Sequence, residues 1–172
     1  MYGFHGRLLH VDLTAGTHAW HTIAESRLRA FLGGIGLGTS LLYQFAPAGV
    51  NPYAAANPLI FASAPLVDTG VTTTAKFAVV TKSPLTGFIA DSLSSSFFAL
   101  ELKRIGIDAL VVTGAAVTPV YLKITESAVE VREAAHLWGK SASETETVLR
   151  EALDDYELHI AAIGKEIGRA HV

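Results

Sequence analysis

The hydrophobic period of the chain changes several times, and each change marks an element. Gly6 to Leu13 alternates apolar and polar positions, Thr14-Ala15-Gly16-Thr17 supplies turn chemistry, and His18 to Ile23 alternates again, which predicts a hairpin. Thr22-Ile23-Ala24-Glu25 has the spacing of a capping box and predicts a helix through Leu32. Gly33 to Gly38 breaks that helix, and Thr39 to Phe45 resumes it. Ala46 to Pro58 is a Pro/Asn/Gly connection, Leu59 to Ser63 a short buried strand, and Ala64 to Thr74 an irregular stretch of small residues. Phe77 to Thr81 is β-branched and aromatic, as a strand should be. Ser83-Pro84-Leu85-Thr86-Gly87 then turns the chain, with Pro84 fixing φ and Gly87 free to take φ > 0. An extended piece and a serine run (Ser92, Ser94, Ser95, Ser96) lead into an apolar helix from about Phe97 to Arg104. Ala109 to Thr113 is continuously apolar, the pattern of a strand covered on both faces. Val120 to Ile124 and Ala128 to Val131 form a second hairpin, Ser141-Ala142-Ser143-Glu144 a second capping box opening a helix to about Leu153, and Leu158 to Ile163 a last strand. The order is roughly two-fold repetitive. It predicts an α+β fold: two β-sheets with helices, in a pseudo-two-fold repeat.

Composition narrows the function classes. With 172 residues the chain can bury the core of one domain. Half of it is hydrophobic and 17% is charged, below the usual share of about 25%, so it is expected to bury surface against something else. A net charge of −3 offers no basic field for nucleic acid. The absence of cysteine excludes disulfides, zinc–thiolate sites and iron–sulfur ligation within these residues. No signal-like core and no membrane-length apolar run is present, so the expected location is the cytoplasm, with no membrane partner.

Three stretches carry candidate chemistry. The serine run before the helix at Phe97 could admit an anion at unpaired N–H groups, with Lys76 and Lys82 adding charge; an ordinary serine cap is the other reading. His5, His10, His18 and His21 resemble a metal cluster, yet their spacing fits a hairpin surface and no carboxylate pattern accompanies them. Gly33 to Gly38 invites a nucleotide-loop reading, but a dinucleotide fingerprint needs a strand immediately before it, and here a helix is predicted. No catalytic residue and no metal ligand is assigned.

Thr81 to Gly87 (TKSPLTG) and Glu101 to Ile124 resemble the N-terminal domain of the tungsten- and molybdenum-containing aldehyde ferredoxin oxidoreductases. GFHGRLLHVDLTAGT from Gly3, FLGGIGLGTSLLY from Phe31, NPLIFASAPLVDTG from Asn57 and HLWGKSASETE from His136 extend the resemblance over about residues 3 to 164. It implies an α+β base on which a bis-pterin cofactor lies, tungstopterin or molybdopterin. It implies oxidation of an aldehyde with water to a carboxylic acid, with electrons passing to a 4Fe–4S cluster and then to ferredoxin. The cluster ligands and acid/base residues would come from missing C-terminal domains of the same enzyme, and the family allows a homodimer. By position, the resemblance assigns cofactor contacts to Lys76, Leu93, Ser94 and Ser95. Lys76 stands where the family often has Arg, which keeps the charge and loses bidentate geometry. Leu93 replaces a frequent Asn, and Ser95-Ser96 replaces Gly-Gly, which is expected to restrict close approach and φ > 0. Asp91 reads as a turn or cap carboxylate.

The end of the chain departs from the family, whose members continue after Ile-Gly with Pro-Ala-Gly-Glu. Ile167-Gly168-Arg169-Ala170-His171-Val172 is instead what ATC GGA AGA GCA CAC GTC encodes, a string within a widely used sequencing adapter. The expected organisation is therefore a pterin-binding domain over 1–165 and a non-native tail over 166–172, making the chain a fragment. A stand-alone, non-catalytic anion- or cofactor-binding domain is the alternative.

Overall fold

The computed structural model describes residues 2–163. The predicted tail, 166–172, lies outside them. The chain forms β1 (Arg7–Asp12), β2 (Thr17–Thr22), α1 (Glu25–Phe31), α2 (Gly34–Phe45), β3 (Leu59–Ala62), β4 (Lys76–Lys82), β5 (Ile89–Ser95), α3 (Phe98–Arg104), β6 (Ala109–Thr113), β7 (Val120–Ile124), β8 (Val129–Glu133) and α4 (Ala142–Leu153). β2-β1-β6-β3-β4-β5 is the order of a six-stranded sheet, and β7-β8 is a separate two-stranded one. β1 and β6 are parallel; the other pairs in the large sheet are antiparallel. The α+β class with two sheets is thus the observed one.

Period-two alternation decides which face each strand residue serves. Leu8, Ile60, Ala62, Ala78, Val80, Ala109 and Val111 point to one face, where Leu28 of α1 and Leu37, Leu41 and Leu42 of α2 cover them. Leu9, Val11, Phe77 and Leu110 point to the other, beneath Ala99 and Leu102 of α3 and beside Leu122, Ile124 and Val129 of the small sheet. β6 sits between β1 and β3 with its first three residues buried, which is why its run is apolar throughout.

α2 approaches the sheet closely because of two glycines. A Cβ on Gly33 would lie 2.7 Å from the Ser63 carbonyl oxygen and 2.8 Å from the Ala64 Cα, neither of which can give way. A Cβ on Gly38 would meet Val80 Cγ2 at 2.6 Å. The glycine stretch is a helix–helix break and a packing surface, as expected, and α1 rather than a strand precedes it.

A buried ion pair ties the N-terminal segment to the sheet. Lys103 Nζ lies 2.5 Å from Asp108 Oδ1, with side-chain exposures of 5% and 1%. The same ammonium donates to the Gly3 carbonyl at 3.0 Å, and Asp108 Oδ2 accepts from His5 N at 3.0 Å and Gly6 N at 2.7 Å. The carboxylate is therefore saturated, the condition under which a buried charge is tolerated.

Four local expectations fail for identifiable reasons. The first capping box does not form: Thr22 stays in the β1–β2 ladder opposite Arg7, Ile23 N donates to the Gly6 carbonyl, and α1 starts after Ala24 with no side-chain cap. The second one forms fully, with Ser141 Oγ accepting from Glu144 N and the Glu144 carboxylate accepting from Ser141 N. Leu158 to Ile163 forms no strand, since no ladder partner for it lies among the described residues. Instead, the Leu158 carbonyl accepts from the Arg150 guanidinium and Ile160 packs beside Leu137 and Leu149. Most of the serine run is β5 and not the first turn of a helix: Ser92, Ser94 and Ser95 pair with Val79, Phe77 and Lys76, while Ser96 alone caps, its Oγ accepting from Phe98 N at 3.2 Å at the start of α3. Asp91 likewise sits in this strand, opposite Val80, and is no cap.

Candidate functional site

The four residues assigned to cofactor binding meet at one end of the β4–β5 ladder. Lys76 is directly opposite Ser95, Phe77 opposite Ser94 and Ala78 opposite Leu93. Directly opposed residues share a face, so Lys76, Ser95 and Leu93 project on one side and Ser94 on the other. The hairpin that sets this register closes through the predicted turn: Ser83 N donates to the Phe88 carbonyl, Gly87 N to the Ser83 carbonyl, and Gly87 takes φ +73°. β4 is anchored by buried Phe77, Ala78 and Val80, whereas β5 is the sheet edge and exposed along nearly all its length.

The available charge here is that of Lys76. Its side chain is exposed and forms no hydrogen bond or ion pair among the described residues, and neither do the hydroxyls of Ser94 and Ser95. Lys82 is not free, contrary to the expectation that it adds charge: its ammonium donates to the Val50 carbonyl at 2.5 Å. An uncommitted ammonium on the same face as the Ser95 hydroxyl, next to an unpaired strand edge, suits a phosphate oxygen. Ser95 and Ser96 do not have positive φ, so replacing Gly-Gly there introduces no backbone strain. Thr73, three residues before the start of β4, does take φ +67°. It lines a shallow cleft of about 210 Å³ with Ala75, Ser95, Ser96 and Phe97. The irregular stretch before β4 thus reaches the site through Thr73.

A larger cleft, about 540 Å³, lies between β2 and α1 and is lined by His21, Arg27, Phe31 and Gln44 among others. β2 and β5 are opposite edges of the sheet, five strand spacings or about 24 Å apart. It holds none of the assigned residues, and Arg27 is hydrogen-bonded to Gln44 across it. Among the described residues no group of three or more His, Asp or Glu side chains could hold a metal. His18 and His21 are exposed on β2, while half-buried His10 shares a 2.7 Å hydrogen bond with Thr113 Oγ1 and packs against Phe45. Burial, and secondarily the neighbouring His21, lower the His10 pKa below its ordinary 6.5; Asp12 opposes them. Sequence reading missed the Lys103–Asp108 pair, whose only signal was a Lys and an Asp five residues apart across a glycine.

A mixed sheet packed on both faces, with exposed strands at its two edges, defines an α+β domain, and comparison with known proteins places it. The chain belongs to the aldehyde ferredoxin oxidoreductase family, whose N-terminal domain model matches residues 8–169. It is 43% identical over 164 residues to the tungsten-containing aldehyde ferredoxin oxidoreductase of Pyrococcus abyssi, covering 95% of this chain and 27% of that protein. It is 36% identical over 159 residues to the aliphatic sulfonate oxidoreductase, WOR-like subunit, of Pyrococcus furiosus, covering 90% and 25%. Its fold superposes with TM-score 0.91 and 36% identity on the active site complex BamBC of benzoyl coenzyme A reductase, solved with 1,5-dienoyl-CoA, covering 95% of this chain and 25% of that one. The chain therefore spans about a quarter of the length of these relatives. No helix among the described residues is long and apolar enough to cross a membrane.

Proposed function

We propose that this chain is the cofactor-bearing base of a tungsten- or molybdenum-pterin aldehyde oxidoreductase. Lys76 holds a pterin phosphate, with the Ser95 hydroxyl on its face, and Leu93 and Ser94 line its path through main-chain groups. The observation that carries this is the Lys76–Ser95 rung, which sets a free ammonium on the same face as the free Ser95 hydroxyl at an exposed strand edge. When bound, the metal centre supplies the two-electron oxidation of an aldehyde and water to a carboxylic acid. The chain's own part is to bind and orient: β4 is rigid because its apolar side chains are buried, so Lys76 is presented from a fixed base. Leu93 has no side-chain polar atom, so any contact there is through its backbone.

The relatives are named for an aldehyde, an aliphatic sulfonate and a coenzyme A ester reaction, and all share this domain. What they share is better sought in the cofactor than in the substrate. Substrate choice, the 4Fe–4S cluster, the acid/base residues and the ferredoxin contact then belong to the portion of the enzyme beyond this domain. Location in the cytoplasm and a homodimer complete the reading.

The test is metal and pterin content of the full-length protein. Lys76→Ala is expected to lower both about tenfold at limiting cofactor, a loss of ~1.4 kcal/mol for one charge-assisted contact. Lys76→Arg should retain them. Unchanged metal and pterin in Lys76→Ala would overturn the assignment.

A further inference from the structure

Phe97 stands apart from the aromatic residues around it. Phe61, Phe77 and Phe98 pack on one another with ring centroids 5.1 to 6.1 Å apart. They belong to the core beneath α3. Phe97, immediately before α3, is 63% exposed. Its ring stacks on His159, with centroids 5.3 Å apart and planes inclined by 23°. His159 Nε2 lies 4.0 Å from Glu101 Oε1, and the same Glu101 oxygen accepts from Arg104 at 2.8 Å. The stretch after α4 therefore braces Phe97 while leaving most of its ring accessible.

The accessible ring faces the cleft of about 210 Å³ that it lines with Thr73, Ala75, Ser95 and Ser96. None of these five side chains is charged, and the cleft wall is almost wholly apolar. The charge lies across the rung from Ser95, on Lys76. Thr73, a β-branched residue, is held at φ +67° on the same wall, a conformation that costs energy and persists where surrounding structure imposes it. An apolar slot with an aromatic wall, beside a free cation, matches a ligand that is flat at one end and anionic at the other. Its volume is below that of a whole ligand site, typically ~300 Å³ or more, so it takes one ring portion and not an entire cofactor.

We propose that Phe97 is a stacking platform for the flat heteroaromatic ring of the ligand whose phosphate Lys76 receives, and that His159 is a positioning residue that fixes Phe97. This rests on the reading of the site as a pterin-phosphate site. Offset stacking of a heterocycle on an aromatic side chain is favourable whatever the substituents on its edge.

The experiment uses the full-length protein produced without cofactor and two fluorescent probes: 6-hydroxymethylpterin, flat and uncharged, and its phosphate ester. Both are expected to bind with quenched emission, the ester more tightly. Phe97→Ala should weaken both about tenfold and abolish the quenching, Phe97→Tyr should restore both, and Lys76→Ala should weaken the ester alone. His159→Ala should weaken both probes several-fold, with rescue by His159→Phe. If Phe97→Ala binds both probes as wild type does while Lys76→Ala still weakens the ester, the stacking proposal falls and the phosphate reading stands. If neither probe binds wild type, both fall. If His159→Ala is silent while Phe97→Ala is not, the positioning role of His159 falls.

Discussion

Two lysines, 27 positions apart in the chain (103 − 76), are used in opposite ways. Lys103 is 5% exposed, bonded to Asp108 and the Gly3 carbonyl, and lies 5.5 Å from the centroid of the Phe4 ring. Lys76 begins β4, next to the edge strand β5, with its ammonium bonded to nothing among the described residues. The first charge is consumed by folding: it fastens the N-terminal segment to the end of α3 and the start of β6. The second is left over from folding and so is available to a ligand. Formal charge does not distinguish them; burial and partner count do. His10 is an intermediate case, half-buried, with one hydrogen bond and a ring packed on Phe45.

The comparison breaks most visibly at Asp108. Asp108→Ala leaves the Lys103 ammonium buried without its counter-ion and removes the acceptor for His5 N and Gly6 N. Breaking a buried pair in this way costs about 3–5 kcal/mol. A urea titration of Asp108→Ala should show a loss of that order, and adding Lys103→Met should recover part of it, because an apolar chain needs no partner. A loss below about 1 kcal/mol would mean that water reaches the pair, and that Lys103 is no more committed than Lys76.

The sequence carried the parts of this molecule that depend on local rules. Alternation marked β1 and β2, β-branched and apolar content marked β3, β4 and β6, and the turn at Ser83 to Gly87 followed from Pro84 and Gly87. Where local rules met a ladder, the ladder won. Thr22-Ile23-Ala24-Glu25 and Ser141-Ala142-Ser143-Glu144 satisfy the same capping rule, yet only the second caps, since β1 holds Thr22 as a strand residue. Most of the serine run failed in the same way: pairing with β4 made Ser92, Ser94 and Ser95 an edge strand, and only Ser96 kept the capping role. The pairing still brings Lys76 beside Ser95 and Leu93 on one face, although Ser94 projects from the other. Lys103–Asp108 was illegible because its meaning depends on the N-terminal segment folding over it. The caps give a control for this lesson. Ser141→Ala should cost about 1 kcal/mol, and Thr22→Ala only a few tenths, since no cap is lost.

His10 sharpens the intermediate case through pH. Its folded pKa lies below the ordinary 6.5, so the unfolded chain takes up the proton more readily. The sign follows: this contribution to stability is complete above about pH 6.5 and declines as pH falls through that value toward the folded pKa. The groups facing the ring are His21, Asp12, Phe45 and Thr113. Melting temperatures measured between pH 7.5 and 5 should fall less steeply in His10→Gln than in wild type. Parallel slopes would assign the acid sensitivity elsewhere.

The smallest effect on stability is the most informative. Lys76→Ala removes an exposed side chain without partners, so its folding free energy should stay within about 0.5 kcal/mol of wild type. The same substitution is expected to release metal and pterin, because the ammonium that folding leaves free is the one the cofactor phosphate takes. The contrast with Asp108→Ala is the point: one variant loses the fold, the other only what the fold carries. If Lys76→Ala instead destabilised the cofactor-free protein by 2 kcal/mol or more, its charge would already be engaged within the protein. The distinction between a lysine used for folding and one reserved for a ligand would then disappear.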